Sequence, residues 1–229
     1  MNTKTQVACA WSGIIALVLI LIGTVTADFI PPPHADDSAR QLANFYADHH
    51  SRIRLGLLLF MMGNVGWATL SAVVSLQIAR IEGKRPVLAI AQAIVAATNL
   101  TLLMLFTMLL LGAAFRPGEI PATTTQTIHD IAWFMAFLPV SSFMLQTGIC
   151  AVAVFRDVKE EVFPRWLGYF NAWITLLLFP GALLVFFKSG AFSYHGLFVF
   201  WVPFAAVGAW VAVMAWATRR AALAEAAAV

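Results

Sequence analysis

Side chains able to bind a metal or move a proton are few in this sequence, and most of them crowd into one stretch. Residues 31–54 read PPPHADDSARQLANFYADHHSRIR and hold His34, His49 and His50; the other histidines are His129, beside Asp130, and His195, beside Tyr194. Imidazole is the commonest metal ligand and titrates near pH 6.5. If His50, His129 and His195 converge, with Asp28, Asp36, Asp48 or Asp130 to complete the set, they form a metal centre suited to zinc, copper or iron. No HExxH or comparable ligand spacing is present, and His49 and His50, as helix neighbours, point about 100° apart. The plainer expectation is solvated or interfacial imidazoles. No catalytic residue set can be named and no organic cofactor is expected, so the sequence leans away from an enzyme.

A second group of polar side chains lies inside apolar runs: Asn64, Asn99, Ser141 and Ser142 near the middle of such runs, with Gln146 and Thr175 not far away. Polar groups in hydrocarbon must find partners, so these face the interior of a helix bundle. They serve either as interhelical hydrogen-bonding groups that fix packing or as the lining for a small neutral ligand. In the second case the aromatic side chains Trp133, Phe134, Phe137, Phe179 and Trp201 complete the pocket. No Asp, Glu, Lys or Arg lies deep in any apolar run, which argues against proton-coupled antiport, voltage sensing and carboxylate acid–base chemistry in the core.

The elements that must position these groups can be read from composition. With 61% apolar residues, 11% charged residues and a mean hydropathy of +0.84, the chain lies far from a soluble domain, where charged residues approach a quarter. Crossing a hydrocarbon core takes about 20 apolar residues, and six runs qualify: 7–29, 53–79, 87–115, 131–155, 167–187 and 197–217. The fold class is therefore all-α, a six-span membrane bundle forming one domain over 1–229. The first run resembles a secretory signal only in its small residues Val25, Thr26 and Ala27; it is long and led by Lys4 alone, and it reads as a retained span. The net charge of +3 does not point to nucleic acid, because the basic residues sit at the ends of apolar runs. Placing the amino terminus in the cytoplasm puts Lys4, Arg80, Lys84, Arg85, Arg156, Lys159, Arg165, Arg219 and Arg220 inside, against Arg40, Arg52, Arg54, Arg116 and Lys188 outside. The positive-inside rule favours that arrangement, with both termini cytoplasmic in an inner (plasma) membrane and all five histidines on the outer side. Cys9 and Cys150 are too few and too apolar in setting for a disulfide framework or zinc site.

The polar stretch itself reads as a helix. Pro31, Pro32 and Pro33 end the first span, and Asp36, Asp37 and Ser38 can cap a new helix. Leu42, Phe45, Tyr46, His49 and Ile53 recur at helical spacing with polar residues between them. That pattern predicts an amphipathic helix over about 36–51, docked on headgroups or on the mouth of the bundle. Pro139, Pro180 and Pro203 interrupt the last three spans toward the outer side, where kinks would splay the helix ends into a vestibule. Small residues at Ala89, Ala93 and Ala97, and at Ala205, Gly208, Ala209 and Ala212, offer seams for close packing or for an oligomer.

The segment FPRWLGYFNAWITLLLFPGALLVFFKSGAF, 163–192, with Phe200 and Trp201, resembles stretches of small polytopic membrane proteins of bacteria. The likeness spans the last third of the chain, and it implies no activity and transfers no functional residue. The function expected from the whole is a multi-pass membrane protein that binds or passes a small neutral or lipophilic compound from an outward-facing pocket. Its partners would be the lipid bilayer, that ligand, and a membrane partner or a second copy of the chain. The alternative is a membrane enzyme with an outer-face His/Asp metal centre.

Overall fold

Backbone amides that leave water need partners within the chain, and long apolar runs meet that need by coiling into helices. The computed structural model describes residues 3–227. Every regular element among them is helical: α1 (Thr3–Thr26), α2 (Ala39–Glu82), α3 (Val87–Phe115), α4 (Ala122–Phe137), α5 (Val140–Arg156), α6 (Trp166–Leu178), a 3-10 stretch (Phe179–Phe186), a 3-10 turn (Gly190–Phe192), a π turn (Leu197–Trp201) and α7 (Val202–Ala227). Where consecutive elements run on from one another, they make six helical units long and apolar enough to cross a membrane. These match the six expected runs.

Two local departures matter for the site. The expected amphipathic helix and second span are one continuous helix, α2, because the sequence between Ser38 and Ile53 has neither proline nor glycine to stop it. At 1.5 Å per residue α2 is about 66 Å long, roughly twice the thickness of a hydrocarbon core. Its start is fixed by a capping box: Gln41 N–H donates to Ser38 Oγ (3.3 Å), and Ser38 N–H donates back to Gln41 Oε1 (2.9 Å). The second departure lies at the prolines. Pro139 separates α4 from α5, Pro180 opens the 3-10 stretch, and Pro203 comes after the π turn at the start of α7. A ring in place of an N–H removes one helical hydrogen bond and crowds the carbonyl four residues back, so α-geometry fails at each point.

The connections 27–38 and 187–196 meet α4 at one end of the bundle and form a cap. Ala35 N–H donates to His195 Nδ1 (3.0 Å), Gln126 Nε2 to the Asp37 carbonyl (3.0 Å), and Tyr194 Oη to Asp130 Oδ1 (3.3 Å). Arg54 ends α3 by donating from Nε to the Ala114 carbonyl (2.9 Å) and from Nη2 to Phe115 O (2.6 Å), supplying two of the carbonyls a helix terminus leaves bare. At the opposite end, Glu82 accepts the first amides of α3 from Leu88 and Ala89, and Arg80 pairs with Glu225 at 3.2 Å.

α1 packs along α2 more extensively than any other pair of helices, through glycines. A Cβ on Gly23 would lie 2.5 Å from the Gly56 carbonyl oxygen and 2.7 Å from Phe60 N; one on Gly56 would lie 2.5 Å from Ala27 N. The two backbones touch there. Of the small residues that offered seams for close packing or for an oligomer, Ala89 is buried, whereas Ala93, Ala97, Ala205 and Ala209 are exposed on the outside of the bundle. The apolar interior divides into two cores. One, beneath the cap, is built on Phe29, Tyr46, Phe106, Trp133 and Phe200; the other, toward the far end, is built on Trp67, Ile149, Leu167 and Trp210.

Candidate functional site

Between the two cores, at the level where the last three helical units lose α-geometry, the bundle encloses a cavity of about 160 Å³. Phe29, Phe106, Trp133 and Phe200 contribute to its wall from the capped core, and Trp67, Leu178 and Val211 from the far core. An apolar cavity of about 150 Å³ admits benzene, so this one takes a group of one ring. Leu21 lines it and is exposed, which brings the rim to the outer surface of the bundle beside α1.

The wall carries no ionisable side chain. The one hydroxyl in it, that of Thr24, donates to the carbonyl of Ile20 at 2.6 Å. Trp67 and Trp133 contribute rings to the wall, and their indole N–H groups are buried with no protein acceptor. Neither ring is free to swing toward one. Trp67 stacks on Trp210 at 5.6 Å and meets Phe143 edge-on, and Trp133 is held between Phe137 (5.8 Å) and Tyr194 (5.7 Å).

Of the ligand-binding residues named from sequence, Trp133 and Phe137 line this cavity, whereas Asn64, Asn99, Ser141, Ser142 and Trp201 do not. Asn99 Nδ2 donates to Gln146 Oε1 at 2.7 Å, and the Ser142 hydroxyl lies against Asn99 Oδ1. That network joins α3 to α5 and acts as packing. Asn64 is fully buried with neither amide atom partnered, and Ser141 is exposed. Trp201, Phe134 and Phe179 point outward. The π turn shifts the angular register of this segment, so that Phe200 rather than Trp201 faces the cavity. Trp67, Phe106, Phe60 and Phe204 also line it; nothing in the spacing of aromatic residues distinguishes them beforehand.

The histidines do not gather as His50, His129 and His195. His129 is completely buried on α4, where its Nδ1 bonds Tyr46 Oη at 2.9 Å and its ring meets Phe29, Trp133 and Tyr194 edge-on. His50 bonds its own helix at the Ala47 carbonyl (2.8 Å), as His49 does at Phe45 (3.0 Å). His195 instead stacks on His34, rings 4.2 Å apart and 9° from parallel. With Asp36 these two form a cap cluster whose ligand atoms all lie within 4.8 Å of one another. Partial burial, and then the neighbouring His34, hold His195 below the usual histidine range, with Asp36 and Asp37 pulling the other way. Cys9 and Cys150 are free thiols in different settings, one half-buried and one buried.

The arrangement thus offers one apolar site with its rim at the bundle surface, and one exposed imidazole–carboxylate cluster in the cap. No family model, no curated protein and no solved structure matches this chain.

Proposed function

We propose that this chain is a multi-pass protein of the plasma (inner) membrane, with both termini cytoplasmic and the cap facing outward, that binds or passes a small neutral, lipophilic compound in the cavity beneath the cap. The observation that carries the reading is a one-ring apolar cavity at the level of three proline-linked helix breaks, with its rim on the surface of the bundle. A closed rod of six regular helices would fill that volume with side chains; the breaks keep it open. The rim at Leu21 suits entry from the bilayer, where a lipophilic compound is concentrated. Lys4, Arg80, Lys84, Arg85, Arg156 and Arg165 at the end opposite the cap support the orientation. Action as an accessory to a membrane partner is compatible with this reading.

The test is ligand-dependent stability in nanodiscs. One-ring hydrocarbons such as p-xylene are expected to raise the unfolding midpoint, a ligand at a hundred times its Kd adding about 2.7 kcal/mol. Ala136→Phe, which places a ring in the cavity from α4, should remove that response and leave a folded protein. A wild-type midpoint that no member of a one-ring panel moves, or an equal shift in the filled variant, would count against the reading.

The cap cluster favours a second reading, a metal centre on His34, Asp36 and His195. Three such ligands match the zinc sites that keep a fourth position open for water. Bringing nitrogens to the roughly 2.0–2.1 Å such a site needs requires the stacked imidazoles to turn out of parallel. One zinc ion bound per chain at pH 7.5, lost in His195→Ala and kept in His50→Ala, is the expected result. Purified protein that takes up no zinc under those conditions removes this reading.

A further inference from the structure

We infer that the seam between α6 and α7, at the end of the bundle opposite the cap, is a binding site for a phospholipid with a negatively charged headgroup, its phosphate on Arg220 and an acyl chain in the groove between Trp166 and Trp216. The site is separate from the cavity and does not depend on what the cavity takes. It requires only that the six apolar helical units cross a membrane.

Trp166 opens α6, and Trp216 lies in the second half of α7. Their rings meet obliquely, centroids 5.9 Å apart and 38° from parallel, and each residue is close to half exposed. With Ala212 and Val213 they line a groove on the surface of the bundle. Val213, Trp216 and Arg220 follow at spacings of three and four residues, which puts them on one face of α7. Over about 10 Å of helix that face passes from hydrocarbon to indole to guanidinium. A phospholipid carries its parts in the same order, from acyl chain through glycerol to phosphate, and tryptophan is enriched at the headgroup level of membrane helices.

Arg220 is exposed, and its guanidinium lies over the Trp216 ring, 5.6 Å from the centroid. That contact occupies the face of the guanidinium and leaves the N–H groups along its edge, which are the ones that grip a phosphate. Elsewhere in the bundle arginines are given acceptors: Arg80 pairs with Glu225, and Arg54 donates to two carbonyls of α3. Among the described residues, Arg220, its neighbour Arg219 and Arg165, which directly precedes Trp166, enter no ion pair. Arg219 lies over Trp11 and Arg165 over Phe155, each at 5.9 Å. The Glu160 carboxylate accepts the backbone amide of Arg165 at 3.0 Å, not its guanidinium. Unpaired cations at the mouth of an apolar groove call for an anion that carries an apolar chain, and basic pockets between membrane helices hold lipid headgroups in this way. A soluble anion would leave the groove empty. A zwitterionic lipid would fill it but bring an ammonium group back toward the arginines.

The test is the binding of dioleoylphosphatidylglycerol and dioleoylphosphatidylcholine to the full chain in detergent, with native mass spectrometry reading the lipid bound per chain. The anionic lipid is expected to bind about tenfold tighter than the zwitterionic one. Arg220→Gln should weaken the anionic lipid about threefold to tenfold while moving the zwitterionic lipid less than about twofold. Trp216→Ala removes a wall of the groove and should weaken both. Arg116→Gln is the control, an exposed arginine that also lies over a ring, that of Phe115 at 5.7 Å, at the other end of the bundle; it should change neither. Glycerophosphate, a headgroup without chains, should not displace the anionic lipid at equal concentration. Equal affinity of the wild type for the two lipids, the same loss in Arg116→Gln as in Arg220→Gln, or wild-type binding by Trp216→Ala overturns the inference. Displacement by glycerophosphate overturns it in favour of a site for a free phosphate. Each of these results leaves the cavity reading standing.

Discussion

Gly56→Leu is expected to leave no recoverable folded protein, and Gly56→Ala to cost about 3 kcal/mol or more of stability. The reason is which atoms lie in the way. A Cβ at position 56 would sit 2.5 Å from the backbone nitrogen of Ala27, and one at position 23 would sit 2.7 Å from the backbone nitrogen of Phe60. A side chain could rotate aside; two helix backbones cannot. Relief requires α1 and α2 to separate along the most extensive interface in the bundle; in the proposed membrane setting such an interface would be held by close van der Waals packing rather than by exclusion of water. Gly112→Ala is the control, since a Cβ there meets nothing within 4 Å. Gly112 lies in the last turn of α3, where alanine in place of glycine gains less than the roughly 1 kcal/mol of a helix interior, so this variant should match the wild type. The measurement is the yield of monodisperse protein on size exclusion in mild detergent, with the thermal midpoint for variants that survive. A Gly56→Leu protein that purifies and melts like the wild type would show that the seam is not close-packed.

The two mid-depth asparagines should respond to the same substitution with opposite signs. Asn99→Leu removes the partner of Gln146 and the acceptor for Ser142, stranding a buried amide, and is expected to destabilise by about 2 kcal/mol. The double variant Asn99→Leu with Gln146→Leu should recover part of that loss, because no polar partner is left behind. Asn64→Leu deletes an amide that has neither atom partnered at full burial, and is expected to stabilise by about 1–2 kcal/mol. Denaturant midpoints of the four proteins decide the matter. Destabilisation by Asn64→Leu, equal to that of Asn99→Leu, would contradict the assignment of one side chain as packing glue and the other as an unsatisfied group.

Long-range placement separates what the sequence could show from what it could not. The six runs, the helix face carrying Leu42, Tyr46 and Ile53, and the failure of α-geometry at Pro139, Pro180 and Pro203 all depend on residues close in the chain. They are legible as hydropathy, periodicity and a missing N–H. Inward-facing aromatic residues are not, because each span carries apolar side chains all round it, and a π turn or a 3-10 stretch rotates everything beyond it by an amount that composition does not encode. Trp201 and Phe200 trade roles for this reason. The closest seam inside the bundle falls on Gly23 and Gly56, since what decides it is which helix lies opposite. The pairing of His195 with His34 joins positions far apart in the chain, and only the meeting of the cap loops brings it about. Trp133 and Phe137 are within reach of sequence because they lie a single turn apart on α4 just ahead of Pro139.

α2 crosses from the cap to the far end without a proline or a π turn to bend it, and its helix runs unbroken through Gly56, Gly63 and Gly66. It can therefore act as a lever. A tilt of about 5° about its midpoint displaces each end by about 3 Å in opposite directions, at the cap where Tyr46 holds His129 and at the far end where Arg80 holds Glu225. Strain applied on one face of the bundle is thus delivered to the other by geometry alone, past Trp67 and the cavity that lies midway along its length.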